Sequence, residues 1–428
     1  MEPERATTPA WSPAKRVLFR FGFVYLVLYI LPFPAGALWE TDPVHEAYDK
    51  LWKVVVPWVG ERVLHLPEPI TVFPNGSGDT TFNYVQVLCF AALAVFAAFV
   101  WTALARRDAA HEQLLRWLRV YVRLFLGTTL IGYGAFKLIK TQFPAPWMLK
   151  LVQPVGDTSP MGLLWTFMGL SYAYNVFTGA GEWLAGAFLF TRRTTTAGAL
   201  LGLGVLSHVV VLNFAYDVPV KLFSLHLLLM AAFLLAPDAG RLVDFFLRGR
   251  PVTPSPRPDL FEKPVWNRAA RYLRSAFLLA AVGMSFFHSW QGAHLWGDLV
   301  PSPPLHGLYD VVEFSRDGEV RPPLVGDRDR WKQLIIDRAN FLVVVLMDGT
   351  VSYYDWKTDG EQNTFTLISQ DPKPVESVLR YAEQRNELVL EGSLAGSRIR
   401  TLLHKRQPNS FLLLNRGFHW VSEYPFNR

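Results

Sequence analysis

The sequence predicts an α-helical polytopic membrane bundle of about seven transmembrane helices over residues 1–290, followed by a C-terminal antiparallel β domain, barrel or sandwich, over residues 300–428. Three observations carry this prediction. Apolar runs of near-spanning length dominate residues 17–290. Basic residues gather in alternate loops between those runs. From Tyr309 onward the pattern changes to short strand-type runs separated by turn dipeptides.

A helix needs ~20 mostly apolar residues to cross a bilayer. The candidate runs are 17–33, 83–105, 120–139, 175–190, 197–215, 220–235 and 272–290. The first follows Lys15, Arg16 and Arg20, as a signal peptide would, but no small-residue cleavage site follows it. Pro32, Pro34 and Trp39 come instead, so the run reads as a retained helix. Residues 161–174 are also apolar and aromatic, which suits a re-entrant or interfacial stretch.

Basic loops stay cytoplasmic. Arg5, Lys15 and Arg16 precede the first run, and Arg106, Arg107, Arg116 and Arg119 fall between the second and third. Arg192 and Arg193 lie between the fourth and fifth, and Arg241, Arg248, Arg250, Arg257, Lys263, Arg268 and Arg271 between the sixth and seventh. The intervening loops are poorer in Lys and Arg. The expectation is therefore a cytoplasmic N terminus and an extracytoplasmic C-terminal domain.

The β domain is read from runs at 309–315, 331–337, 341–347, 351–356, 364–369, 387–394, 397–406 and 411–415. Asp317-Gly318, Asp348-Gly349 and Ala395-Gly396 are hairpin signals. The aromatic C-terminal segment from Arg416 has two readings: a last strand packed into the β core, or a segment docked on the helical bundle.

Composition bounds function. Charged residues are 18% of the chain, below the quarter usual in soluble domains, and mean hydropathy is +0.18. The expected partner is the lipid bilayer. A pI near 9.3 does not imply nucleic acid, because the basic residues sit in the loops. The single cysteine, Cys89, excludes disulfides, zinc knuckles and CxxC pairs within the chain. No metal site is indicated, and redox chemistry would require a bound cofactor or a redox partner protein.

Ionisable groups inside a membrane default to functional candidates. Lys137 and Tyr133 fall in the third run, Glu182 in the fourth, His208 and Asn213 in the fifth, and Lys221 and His226 in the sixth. Asp217 sits at the turn between the fifth and sixth, and His288 ends the seventh. The predicted topology puts all of them at mid-membrane or in the outer half, which suggests one outward-facing polar pocket. Lys137, Glu182, His208 and His226 are its candidate catalytic residues; Tyr133, Asn213, Asp217 and Lys221 are its candidate ligand-binding residues. Three uses remain open: interhelical hydrogen bonds with a Lys–Glu pair, a pocket for an amphipathic molecule such as a quinone, and bis-histidine haem ligation by His208 and His226.

Residues 120–236 carry a family resemblance. The segment ending Gly-Ala-Phe-Lys137, the run from Gly179 through Glu182 to Gly186, the Arg192-Arg193 turn, and Lys221 through His226 resemble the DoxX family. That resemblance implies a four-helix membrane core in a bacterial inner membrane, with an oxidoreductase role linked to quinone or to thiol and sulfur chemistry. The flanking runs and the β domain, which would be periplasmic, depart from that pattern. A helical bundle joined to a β-rich domain is also similar to the HTTM group and vitamin K-dependent γ-carboxylase. There, Tyr133 through Lys137 resembles a helix whose lysine region supplies a catalytic base. Assembly-factor, chaperone and transport roles complete the alternatives.

Overall fold

The computed structural model describes residues 11–35, 43–72, 75–105, 111–254, 259–338, 341–370 and 374–427. Arg5, Trp39, Arg106, Arg107 and Arg257 lie outside the described residues. The chain forms two compact units. One comprises Met1–Ile139 and Ala173–Ser289; the other comprises Lys140–Tyr172 and Trp290–Arg428.

The first unit is helical. Its elements are α1 (Pro13–Ile30), α2 (Pro43–Arg62), α3 (Thr81–Leu104), α4 (Glu112–Leu138), α7 (Tyr172–Leu189), α8 (Thr195–Ala215), α9 (Lys221–Leu235), α10 (Ala239–Phe246) and most of α11 (Pro264–Leu295). Each apolar run of the sequence is a helix. Local chemistry sets several starts: Ser12 caps α1 ahead of Pro13, and Thr80 and Asn83 form a reciprocal capping box at α3. The main core joins Phe19 of α1, Leu126 and Leu130 of α4, Leu189 of α7, Leu206 of α8, and Leu227 and Met230 of α9.

The count of seven spans needs correction. Among the described residues, three helices are long and apolar enough to cross a membrane: Thr81–Leu104, Thr195–Ala215 and Lys221–Phe246, the last joining α9 to α10. They are compatible with membrane insertion. Polar and charged residues set the others apart from these three. Helix α1 carries Lys15, Arg16 and Arg20; α4 carries Glu112, Arg116, Arg119, Arg123 and Lys137; α11 carries Arg268, Arg271 and Arg274. Helix α7 is only 18 residues long and includes Asn175 and Glu182. Helix α2 falls in a stretch that the sequence suggested only as a loop. It packs Trp52 and Val56 on Val85, Cys89 and Phe90 of α3.

The second unit holds a closed antiparallel barrel. Its strands are β1 (Gly307–Arg316), β2 (Glu319–Val320), β3 (Trp331–Asp337), β4 (Phe341–Leu346), β5 (Val351–Asp359), β6 (Thr364–Ser369), β7 (Glu376–Gln384), β8 (Glu387–Leu394) and β9 (Ser397–Arg406). The order is β2-β1-β3-β4-β5-β6-β7-β8-β9, and β1 also pairs with β9, so eight strands close while β2 extends β1 as a hairpin. The barrel resolves the choice between barrel and sandwich. Closure bends β1 through a bulge between Val311 and Glu313. Inward side chains, including Tyr309, Phe314, Trp331, Leu334, Phe365, Leu379 and Leu403, fill the interior.

Residues 140–172 join this unit. Helix α5 (Met148–Val152) lays Met148, Leu149 and Val152 against Leu308, Ile335, Val343 and Val345 on the outer barrel face. That cover explains why β3 and β4 are buried on both faces and read as near-continuous apolar runs. Asp337 fastens α5 by accepting the Met148 N–H at 2.6 Å. Helix α6 (Pro160–Leu170) is short and apolar, capped by Ser159.

Two strand expectations need correction. Residues 411–415 are not a strand; Leu412–Asn415 forms the short helix α12. The aromatic segment after Arg416 is not a last strand in the β core. Phe418, Trp420 and Tyr424 are exposed, Trp420 at 92%.

Candidate functional site

The site is built on a close crossing of α4 and α7. Glycines at a seven-residue interval face each other reciprocally: Gly134 against Gly179, and Gly127 against Gly186. A Cβ on Gly134 would come within 2.8 Å of the Gly179 carbonyl oxygen, and one on Gly186 within 2.6 Å of the Gly127 carbonyl oxygen. Small residues at such spacing let helix backbones approach, the packing that membrane helices favour. On α7, Asn175, Gly179, Glu182 and Gly186 recur every three or four residues on one buried face.

This crossing brings Lys137 to Glu182. The ammonium donates to both carboxylate oxygens, at 2.8 and 2.6 Å, and both residues are buried. Tyr133, one turn before Lys137, holds its ring centroid 5.7 Å from Nζ. Three sequence candidates therefore converge.

His226 belongs to a second polar cluster, with partners that the sequence reading missed. Its Nδ1 lies 2.7 Å from the Leu222 carbonyl oxygen, one turn back on α9. That carbonyl can only accept, so Nδ1 carries the proton and Nε2 is left to accept from the Tyr25 hydroxyl at 2.6 Å. Tyr29 stacks on the same imidazole, with centroids 4.0 Å apart and planes 4° from parallel. Tyr25 and Tyr29 are four residues apart on α1 and so share a face. That spacing was the available signal.

The remaining candidates separate. Asn213 donates to the Ser224 hydroxyl at 3.0 Å, tying α8 to α9. Asp217 and Lys221 form an ion pair at 2.7 Å with Asp217 exposed. Asp79, also missed by the sequence reading, caps α9 by accepting the Lys221 and Leu222 N–H groups at 2.8 and 2.9 Å. His288 is half-buried beside Phe287 on α11. His208 is exposed on α8.

The haem expectation finds no support in this arrangement. His208 faces outward, while both ring nitrogens of His226 are already engaged. Among the described residues, no group of three or more His, Cys, Asp or Glu side chains is placed to hold a metal ion.

A Bacillus subtilis protein known as "Uncharacterized protein YwoB" is 30% identical to this chain over 126 residues, which cover 29% of this chain and 79% of that protein. No family model matches the chain, and no solved structure matches it.

Proposed function

This chain belongs to the same family as YwoB of Bacillus subtilis, and we propose that it is an integral membrane protein whose helical unit binds a quinone-type amphiphile for redox-linked proton exchange. The observation carrying this reading is the Tyr25–His226 hydrogen bond under the stacked ring of Tyr29. A neutral imidazole accepting from a phenol, in apolar surroundings, can relay a proton. Tyr29 offers a flat aromatic face to a planar ring. A bound quinone would supply the electron-accepting chemistry. Tyr25 and His226 would hold a proton near its carbonyl oxygens, and a redox partner protein would supply electrons.

In this reading Lys137 and Glu182 position α4 and α7. It makes residues 120–236 a DoxX-like core and places the protein in a bacterial inner membrane. The N terminus then faces the cytoplasm and the barrel lies in the periplasm. The γ-carboxylase-like alternative needs Lys137 as a base. An ammonium bonded to both oxygens of Glu182 has no lone pair to accept a proton, which favours the quinone reading.

Extraction of the purified full-length protein tests the proposal. Quinone detected by mass spectrometry in the wild type, and lost from Tyr25→Phe and His226→Gln while both variants remain folded, is the expected result. Equal quinone in all three preparations, or none in the wild type, would contradict it.

A further inference from the structure

A separate cavity of about 720 Å³ opens in the helical unit between α4, the turn after α7, and the start of α11. Arg123 at its wall stands fourteen residues from Lys137 along α4, about 21 Å of helix, so the polar site described above is not part of it. Five arginines line the cavity: Arg123, Arg192, Arg193, Arg271 and Arg274. Asp259 is the single acidic residue among its lining residues, and it pairs with Arg192 at 2.9 Å.

The cluster is electrostatically unfavourable as it stands. The guanidinium of Arg123 is repelled by those of Arg274, Arg192 and Arg119. Arg274 is repelled in turn by Arg192 and Arg271. Arg123 is 7% exposed; its Nη1 donates to Thr195 Oγ1 at 3.2 Å, but its buried Nε has no hydrogen-bond partner. A buried guanidinium with an unspent donor among like charges calls for an anion. Arginine is also suited to phosphate, which its planar fork binds in a bidentate manner.

The other wall is apolar. Phe33, Leu124, Leu273 and Phe277 line it, and Trp117 packs edge-on against Phe261 at 5.3 Å. Asn267 fixes the loop over this wall by bonding both the N–H and the carbonyl of Phe261. A cavity with an arginine cluster at one side and an aliphatic and aromatic slot at the other matches a molecule with a phosphate head and a hydrocarbon tail. The sequence places Arg192, Arg193 and Arg271 at the end of the bundle where basic loops gather, the leaflet side on which anionic headgroups meet basic pockets.

We propose that this cavity binds the phosphate group of an anionic phospholipid, with Arg123, Arg271 and Arg274 on the phosphate and Phe33, Leu273 and Phe277 along the chain.

Native mass spectrometry of the full-length protein in detergent tests the proposal, with phosphatidylglycerol, phosphatidylcholine and inorganic phosphate added separately. Phosphatidylglycerol should be retained in preference to phosphatidylcholine. Arg271→Gln/Arg274→Gln should weaken that retention about tenfold without lowering the unfolding temperature of the lipid-free protein. If inorganic phosphate raises the wild-type unfolding temperature as much as phosphatidylglycerol does, and the double variant loses both effects, the ligand is a free phosphate anion and the phospholipid assignment is overturned. Equal retention of the two lipids, or undiminished phosphatidylglycerol binding by the double variant, would overturn the proposal.

Discussion

Lys137 and Glu182 come from helices α4 and α7, 45 residues apart in sequence, yet the lysine Nζ reaches both carboxylate oxygens within 2.8 Å. The pair forms where Gly134 and Gly179 allow the two backbones to meet. Side-chain charge and backbone shape therefore specify the same crossing.

Removing one partner should cost more than removing both, because it leaves an uncompensated buried charge. Lys137→Met or Glu182→Gln alone should destabilise the protein in detergent by about 3 kcal/mol, and the double substitution should recover part of that loss. A double-mutant cycle on thermal or denaturant unfolding measures it; strict additivity would argue against direct coupling.

The glycine crossing makes an independent prediction. Gly134→Ala places a methyl 2.8 Å from the Gly179 carbonyl oxygen and 2.7 Å from the Trp183 backbone nitrogen, so the helices must separate. A loss of about 1–3 kcal/mol in detergent is expected. Gly204→Ala on α8, where an added Cβ meets no heavy atom within 4 Å among the described residues, should be neutral or slightly stabilising.

Much of this arrangement was legible because its signals are local. Apolar runs located the helices. Asp317-Gly318 and Ala395-Gly396 marked two-residue turns, now seen with both residues at positive φ. Lys137 and Glu182 were conspicuous as charges in apolar runs. Non-local features escaped. Strand β7 was missed because its inward positions include Ser377 while Val378 points outward at 50% exposure. The β7–β8 turn contains no glycine; Arg385 itself adopts φ 52°. Nothing in residues 140–172 announces that they cover a barrel. Their attachment depends on Asp298 and Asp337, far along the chain, meeting the Ala145 and Met148 N–H groups.

Asp337 should make the second unit acid-sensitive. Burial pushes its carboxyl upward, but His306 at 3.6 Å, the N–H groups of Met148 and Arg338, and the Arg338 charge outweigh burial and hold it below the usual range. The folded state therefore binds this proton less readily than the unfolded chain. Its stabilising contribution is complete above the ordinary carboxylate value of about 4 and is lost as pH falls through the lower folded value. Unfolding followed by near-ultraviolet circular dichroism should show this loss, and Asp337→Asn should be less stable at pH 7 with a flatter acid limb.

Expression of residues 300–428 without 140–172 should yield a β-type far-ultraviolet spectrum together with self-association. Leu308, Ile335 and Val343 would lose the cover of Met148, Leu149 and Val152 and form an exposed apolar patch. Light scattering distinguishes this from a monodisperse fragment, which would mean that the α5 contact contributes little.

The functional account depends most directly on the Tyr25–His226 hydrogen bond, and a binding titration addresses it. Quenching of intrinsic fluorescence by a short-chain quinone, measured on the purified full-length wild type and on Tyr25→Phe, gives the two affinities. The account predicts saturable binding by the wild type and about tenfold weaker binding by Tyr25→Phe, as loss of one hydrogen bond from the Tyr25 hydroxyl to a quinone carbonyl implies. Saturable binding of equal strength in both proteins, or no saturable binding in either, would contradict it.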